Sequence, residues 1–196
     1  MYTGTQTHST LIARLADGAD ADAWREFCDR YGELIRGFCV RRGLQAADVD
    51  DVRQDVLLSL SKAMPGFEYD PSKGLFRSYL KTIVVRAIFR RIRQNPSVYP
   101  LSVPEEPVTT RGGDDGDEPL WEEEWRQYHY RRAMRTIEAE FGEKDRRAFD
   151  LYAVAGREVH AVAGELSMSV DAVYQAKSRI VRRLVSIIGA QVMEEG

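Results

Sequence analysis

Apolar residues recur every three or four positions through almost the whole 196-residue chain, and the pattern lapses at length only once, over residues 95–118. That spacing is the signature of amphipathic helices. The lapse, "NPSVYPLSVPEEPVTTRGGDDGDE", holds four prolines, three glycines and no period. It reads as an extended, charged linker, because a structureless stretch of this length does not suit the inside of one compact domain. The expected fold is all-α: two small helical domains, residues 1–95 and 120–196, joined by an acidic Pro/Gly-rich linker over 96–119.

In the first half, Trp24, Phe27, Cys28, Tyr31, Leu34, Ile35, Phe38 and Cys39 form one stripe on a helix from Asp22 to Arg42. Asp20 or Asp22 can cap its start and Gly43 can close it. A second helix runs from about Ala46 to Met64, with Val49, Val52, Val56, Leu57, Leu60 and Met64 inward, and Pro65-Gly66 stops it. A third starts near Leu75 and buries Phe76, Tyr79, Leu80, Ile83, Val84, Ala87 and Ile88; Asn95-Pro96 ends it. A short helix around Thr10 to Ala16 leads the set. Cys28 and Cys39, eleven residues apart on one helix, lie about 16 Å apart along its axis. They read as reduced core cysteines, not a disulfide.

After the linker, Trp121, Trp125, Tyr128, Met134, Ile137 and Phe141 mark one helix. Phe149 to Val154 mark another, closed by Gly156. Two more follow, about Val159 to Leu166 and Val170 to Ile188, around the turn Ser167-Met168-Ser169. Val162, Ala163 and Leu166 face inward on the first, and small Ala163 lets the second cross closely. Ser169 can cap the second helix, and Val170, Val173, Ile180 and Leu184 line its inner face. Asp171, Ala172, Gln175, Ser178, Arg179, Arg182 and Arg183 then point outward, with Tyr174 and Lys177 on the flank. This is a helix-turn-helix pattern, whose second helix enters the major groove. Its later arginines suit phosphates, which position without specifying sequence.

Charge is segregated although the net value is only −3. Phe76 to Gln94 carries Arg77, Lys81, Arg86, Arg90, Arg91 and Arg93 and no acid, or +6. Glu105 to Glu124 carries nine acids against Arg111, or −8. Such separation predicts more than one kind of partner. Cations interleaved with aromatics, here Phe76 and Tyr79 with Phe67, Tyr69 and Lys73 in the preceding loop, suit single-stranded nucleic acid. The acid cluster "DVDDVRQD", holding Asp48, Asp50, Asp51, Gln54 and Asp55, suits a basic partner helix, or simply offsets the helix dipole. It lacks the His, Cys or phosphate-loop company that metal or acid–base chemistry needs. His8, His129 and His160 are scattered, and no enzyme, cofactor, metal or small-molecule substrate is indicated. The N-terminus lacks the apolar core of a signal peptide, and no run approaches a membrane span. The expected location is cytoplasmic.

With these residues in view, the chain resembles a bacterial RNA polymerase sigma factor of the extracytoplasmic-function (ECF) group, over about residues 10–95 and 125–190. "DVDDVRQDVLLSL" is similar to the family's D-x-E-D-L-x-Q-E-V-F-L-x-L block, and "GLFRSYLKTIVVRAIFRRIR" to its G-x-F-x-x-W-L-x-x-I-A-x-N run. The helix-turn-helix comes third in the same order. The resemblance implies a region 2-like domain and a region 4-like domain that lend promoter specificity to core RNA polymerase and help melt DNA. Asp48, Asp51, Gln54 and Asp55 would contact the coiled coil of the β′ subunit, and the β flap is a further expected contact on core polymerase. Phe67, Tyr69 and Lys73 would capture a flipped base of the minus-ten element, while Arg77, Tyr79, Lys81, Arg86 and Arg90 follow the adjoining DNA. Ser169, Asp171, Ala172, Tyr174, Gln175, Ser178, Arg179, Arg182 and Arg183 would read the minus-thirty-five element. The acidic linker would imitate phosphate in polymerase channels. Free, the chain should bind DNA weakly, because its acidic parts oppose its basic ones. An anti-sigma protein is a further partner that the resemblance admits.

Five positions depart from the pattern: Tyr79 stands for Trp, Arg86 for Asn, and Ser167 for a turn Gly, where a positive φ would strain it, and Ala172 and Lys177 also differ, so the recognised sequence is not carried over. The competing readings are a helix-turn-helix regulator that needs no polymerase and a helical protein-binding adaptor. Run-off transcription with core polymerase separates all three.

Overall fold

A computed structural model of the chain describes residues 6–18, 20–67, 76–99 and 117–194. Every regular element among them is helical, as expected. Helices α1 (Gln6–Ala16), α2 (Ala21–Arg41), α3 (Ala46–Ala63) and α4 (Phe76–Gln94) precede α5 (Asp117–Glu140). Then α6 (Glu143–Phe149) runs into one π-helical turn, Asp150–Val154, and α7 (Val159–Leu166) and α8 (Val170–Glu194) follow. The loop residues Tyr69 and Lys73, and linker residues 100–116, lie outside the described residues.

By contact the chain divides into two units, Met1–Tyr128 with Met193–Gly196, and His129–Val192. The sequence pattern begins the second domain at 120, whereas Asp117–Tyr128 goes with the first unit. α5 also begins inside the stretch read as linker. Pro119 does not prevent this, because the first turn of a helix needs no intrahelical N–H donors.

In the first unit the Asp20 side chain accepts a hydrogen bond from the Ala23 N–H at 2.8 Å and is itself held by Arg14 at 2.8 Å. This caps α2 at the expected residue. At the other end Gly43 takes φ +81°, so that the Leu44 N–H reaches the Cys39 carbonyl at 3.1 Å. Only a residue free of Cβ makes that left-handed stop without strain. Between the caps, Phe27, Tyr31, Leu34, Ile35, Phe38 and Cys39 are buried. They meet Val49, Val52, Val56 and Leu60 of α3 and Phe76, Leu80, Val84 and Ile88 of α4 in one core. Each large apolar side chain so buried contributes about 1.5–3 kcal/mol. Both cysteines are free thiols, and burial pushes that of Cys39 up to about 12.

In the second unit the close approach depends on small residues. Ala148, Ala163 and Ala176 are buried together with Val162 and Val173, and Met168 plugs the corner between α7 and α8. A second cluster joins Ala133 and Ile137 to Phe149, Ile180 and Leu184. Ser169 caps α8, its Oγ accepting from the Ala172 N–H at 3.1 Å. Ser167 sits at φ 48°, ψ 54°, in the left-handed region. It is the one non-glycine residue with positive φ among those described.

That conformation costs an L-residue about 1–2 kcal/mol, partly offset in a Gly variant by the larger entropy of its unfolded chain. Ser167→Gly should therefore raise stability by about 0.5 kcal/mol, and β-branched Ser167→Val should lower it by about 1–2 kcal/mol. Urea denaturation of the three chains checks this. Identical midpoints would mean that the turn carries no strain.

Candidate nucleic-acid interface

The acidic residues of α3 do not share one fate. Asp48 is only 6 % exposed. Its carboxylate accepts hydrogen bonds from the Tyr99 hydroxyl, from Arg91 Nε at 2.6 Å and from Asn95 Nδ2 at 3.4 Å. The same Tyr99 oxygen accepts from the Gln45 N–H at 3.0 Å. Asp48 thus fastens the start of α3 to the end of α4, and it shares a side of α3 with Asp51 and Asp55 but is buried there. The Tyr99 hydroxyl first, and then the Arg91 guanidinium, hold this carboxyl below its ordinary 3.8 against the opposing effect of burial.

A carboxyl depressed by folding adds stability above its unfolded pKa and loses it as pH falls through the folded one. Asp48→Asn should therefore cost about 2 kcal/mol at pH 7. The gap to the parent chain should close as pH drops below the ordinary carboxylate range. A gap that persisted at acid pH would show that the charge of Asp48 contributes nothing.

Asp51 and Asp55 remain on the surface. Asp51 pairs with Arg91 at 2.6 Å and Asp55 with Arg90 at 3.4 Å, and both keep exposed carboxylate area. Gln54 is exposed beside them. One turn on, Leu58 is 57 % exposed. Four residues after Gln54 and three after Asp55, it shares their side of the helix. Sequence reading passed over Leu58, although its absence from the inward stripe of Val49, Val52, Val56 and Leu60 was the available signal. The face therefore combines carboxylates, an amide and one apolar anchor.

On α4 the six cations divide by position. Arg77 reaches Glu122 Oε1 at 2.5 Å, and its guanidinium lies 5.2 Å from the centre of the Trp125 ring. Lys81 is bonded to Glu118. Arg91 serves Asp48 and Asp51. Toward the other end of the helix, Arg86, Arg90 and Arg93 line an open groove of about 400 Å³ floored by buried Phe89 and closed by Gln94. Phe76 is core, as its spacing predicts. Tyr79 is half-buried, and burial pushes its phenol up. Phe67 stacks on it, with centroids 5.3 Å apart and planes at 23°. The pair offers an aromatic edge at the start of α4.

In the second unit the outer face of α8 is accessible where the pattern places it. Asp171, Tyr174, Gln175, Ser178, Arg179 and Arg182 are exposed, while Ala172 and Arg183 are half-buried. Tyr174 meets Tyr152 edge-on at 5.5 Å, and Lys177 Nζ lies 5.1 Å over the Tyr152 ring. Tyr152 belongs to the π-helical turn, so this widened turn presents an aromatic beside the exposed helix. Arg179 and Arg183 are held by Asp145 at 2.8 Å and by both oxygens of Glu140 at 2.7 and 2.5 Å. These ties fix the angle at which the two guanidinium groups leave the surface.

Residues 27–97, which span most of α2 together with α3 and α4, match the family model described as Sigma-70 region 2. Among solved structures, one described as "Structure of CnrH in complex with the cytosolic domain of CnrY" is similar at 20 % identity with a TM-score of 0.39, covering 94 % of this chain and 98 % of that one. A search of the curated proteins finds no match. Over residues 27–97 the chain is thus similar to sigma-70 region 2, the same family that its sequence motifs resemble.

Proposed function

We propose that this chain is a sigma factor of the extracytoplasmic-function group, which brings core RNA polymerase to specific promoters and assists DNA melting there. The reading rests above all on one observation. The acidic face of α3, with Asp51, Gln54, Asp55 and Leu58, adjoins the cationic groove of Arg86, Arg90 and Arg93 on α4 through the Asp55–Arg90 pair, and each keeps exposed area of its own. Opposite charges on adjoining helices, each still exposed, suit two partners at once, a basic protein helix and a polyanion.

In this reading the α3 face docks on the β′ coiled coil, while Phe67 and Tyr79 stack against an unpaired base of the minus-ten element. Tyr69 and Lys73, outside the described residues, are assigned to the same base by the resemblance alone. Arg77, Lys81, Arg86 and Arg90 follow the DNA backbone. In the second unit α7 and α8 form the helix-turn-helix and the unit rests on the β flap. Asp171, Ala172, Tyr174, Gln175 and Ser178 lie toward base edges of the minus-thirty-five element, and Arg179, Arg182 and Arg183 toward phosphates. Ser169 acts through the cap it makes. The protein supplies positioning and no bond chemistry of its own. Among the described residues no helix is long and apolar enough to cross a membrane.

The test is run-off transcription with purified chain and core polymerase. Initiation from a cognate promoter, falling steeply with salt through counterion release, supports the reading. Specific operator binding without polymerase, and no initiation with it, would replace it by a simple regulator.

A further inference from the structure

The first half of α5 is strongly acidic, yet it is seated rather than free. Trp121 is 1 % exposed and lies edge-on to Phe38 at 5.0 Å. Trp125 is 5 % exposed beneath the Arg77 guanidinium. The Tyr128 hydroxyl donates to the Arg30 carbonyl. Glu124, 2 % exposed, fits against Gly37 so closely that a Cβ there would lie 1.9 Å from its Oε1.

Around this seat four carboxylates meet four cations. Asp117 pairs with Arg42 at 2.9 Å, Glu124 with Arg41 at 2.5 Å, Glu122 with Arg77 at 2.5 Å, and Glu118 with Lys81. Glu118 and Glu122 are one helical turn apart, as are Lys81 and Arg77, and the pairs run in opposite chain directions. Two carboxylates at helical spacing therefore answer two cations at the same spacing.

We infer that Asp117–Tyr128 is an internal competitor for nucleic acid, an acidic strap that occupies Arg77 and Lys81 and has to lift off α2 and α4 before those cations reach phosphate. The inference rests on the reading of α4 as a nucleic-acid face and adds its regulation. A cation cannot serve a carboxylate and a phosphate at full strength together, so binding of DNA and seating of the strap exclude each other. Arg86 lies away from the strap along α4, on the open groove, which leaves a first foothold for DNA while the strap is down. Glu118 keeps half its side chain in water, with 53 % exposed. That pair is the place where a competing polyanion would begin.

The test uses the intact chain without polymerase and a short fluorescein-labelled single-stranded DNA, with anisotropy read against salt. Glu118→Gln with Glu122→Gln should tighten binding on the order of tenfold at low salt. It should also steepen the log–log salt slope by about 1.4, which is two phosphates at about 0.7 each. Glu138→Gln with Glu143→Gln makes the same change in net charge on the second unit and should give a much smaller gain. Adding Arg77→Gln and Lys81→Gln to the strap variant should abolish its gain. Unchanged affinity in the strap variant, an equal gain in the control pair, or a gain that survives loss of Arg77 and Lys81 would each overturn the strap. Run-off transcription by the parent chain keeps the two readings apart. Initiation together with unchanged oligonucleotide affinity sinks the strap alone. A strap variant that gains affinity in a chain that never initiates supports the strap and sinks the promoter assignment.

Discussion

Reversing Asp51 and Asp55 together, Asp51→Lys with Asp55→Lys, should lower affinity for core polymerase by at least about 100-fold while the fold persists. Charged hydrogen-bonded contacts across an interface are worth about 1.5–3 kcal/mol each, so two of them account for a loss of that size. Reversal adds repulsion from a basic partner. Both carboxylates lie at the surface, 51 % and 38 % exposed, and exposed ion pairs contribute at most about 1 kcal/mol to stability. The side chains lost are thus cheap for folding and costly for docking. Asp48→Asn should do the reverse, lowering stability with little direct effect on docking, because its carboxylate is turned inward onto Arg91, Asn95 and Tyr99. Leu58→Ala should weaken docking moderately, as loss of one exposed apolar anchor. Polymerase pull-down titrations beside urea melts separate these effects. Undiminished affinity in the double reversal would remove α3 as the docking face.

Trp121→Ala should be the most destabilising single change on α5, with a loss of about 3–5 kcal/mol from the first unit. The indole is all but fully buried and packs edge-on against Phe38. Removing it also leaves Glu124 and Trp125 on a seat with a hole beside it. Trp121→Phe keeps much of the volume and should lose well under half as much. The measurement is urea denaturation followed by circular dichroism, since two other tryptophans complicate fluorescence. A loss below about 1 kcal/mol would show that α5 only rests on the first unit, because full burial of a large aromatic cannot be that cheap.

These predictions divide along the line between what neighbours in the chain settle and what they do not. The helices of both units, the Asp20 cap of α2, the left-handed stop at Gly43, the strained turn at Ser167 and the cap at Ser169 were all legible as pattern. Each depends on residues within about one turn of helix. The inward stripes were legible too, because burial of one helical face repeats every three to four residues. Within "DVDDVRQD", however, nothing local distinguishes Asp48 from Asp51. Arg91 serves both; the difference comes from Asn95, 47 residues on, and Tyr99, 51 residues on.

The acidic run is the other case. Its composition alone reads as solvated linker up to residue 118, and the aromatic spacing from Trp121 onward assigns its end to the second domain. Packing instead seats Asp117–Tyr128 on the first unit, because Gly37 leaves room for Glu124 and Phe38 receives Trp121. The sequence by itself determined that the chain would be helical, where its helices cap and turn, and that its charge would be parcelled into blocks of opposite sign. Only the tertiary structure decided which of those charges face one another and which face outward. Charges that pair across 37 to 83 residues of chain, as Lys81 with Glu118 and Arg41 with Glu124 do, have no local signature, and their meeting is set by how whole helices pack.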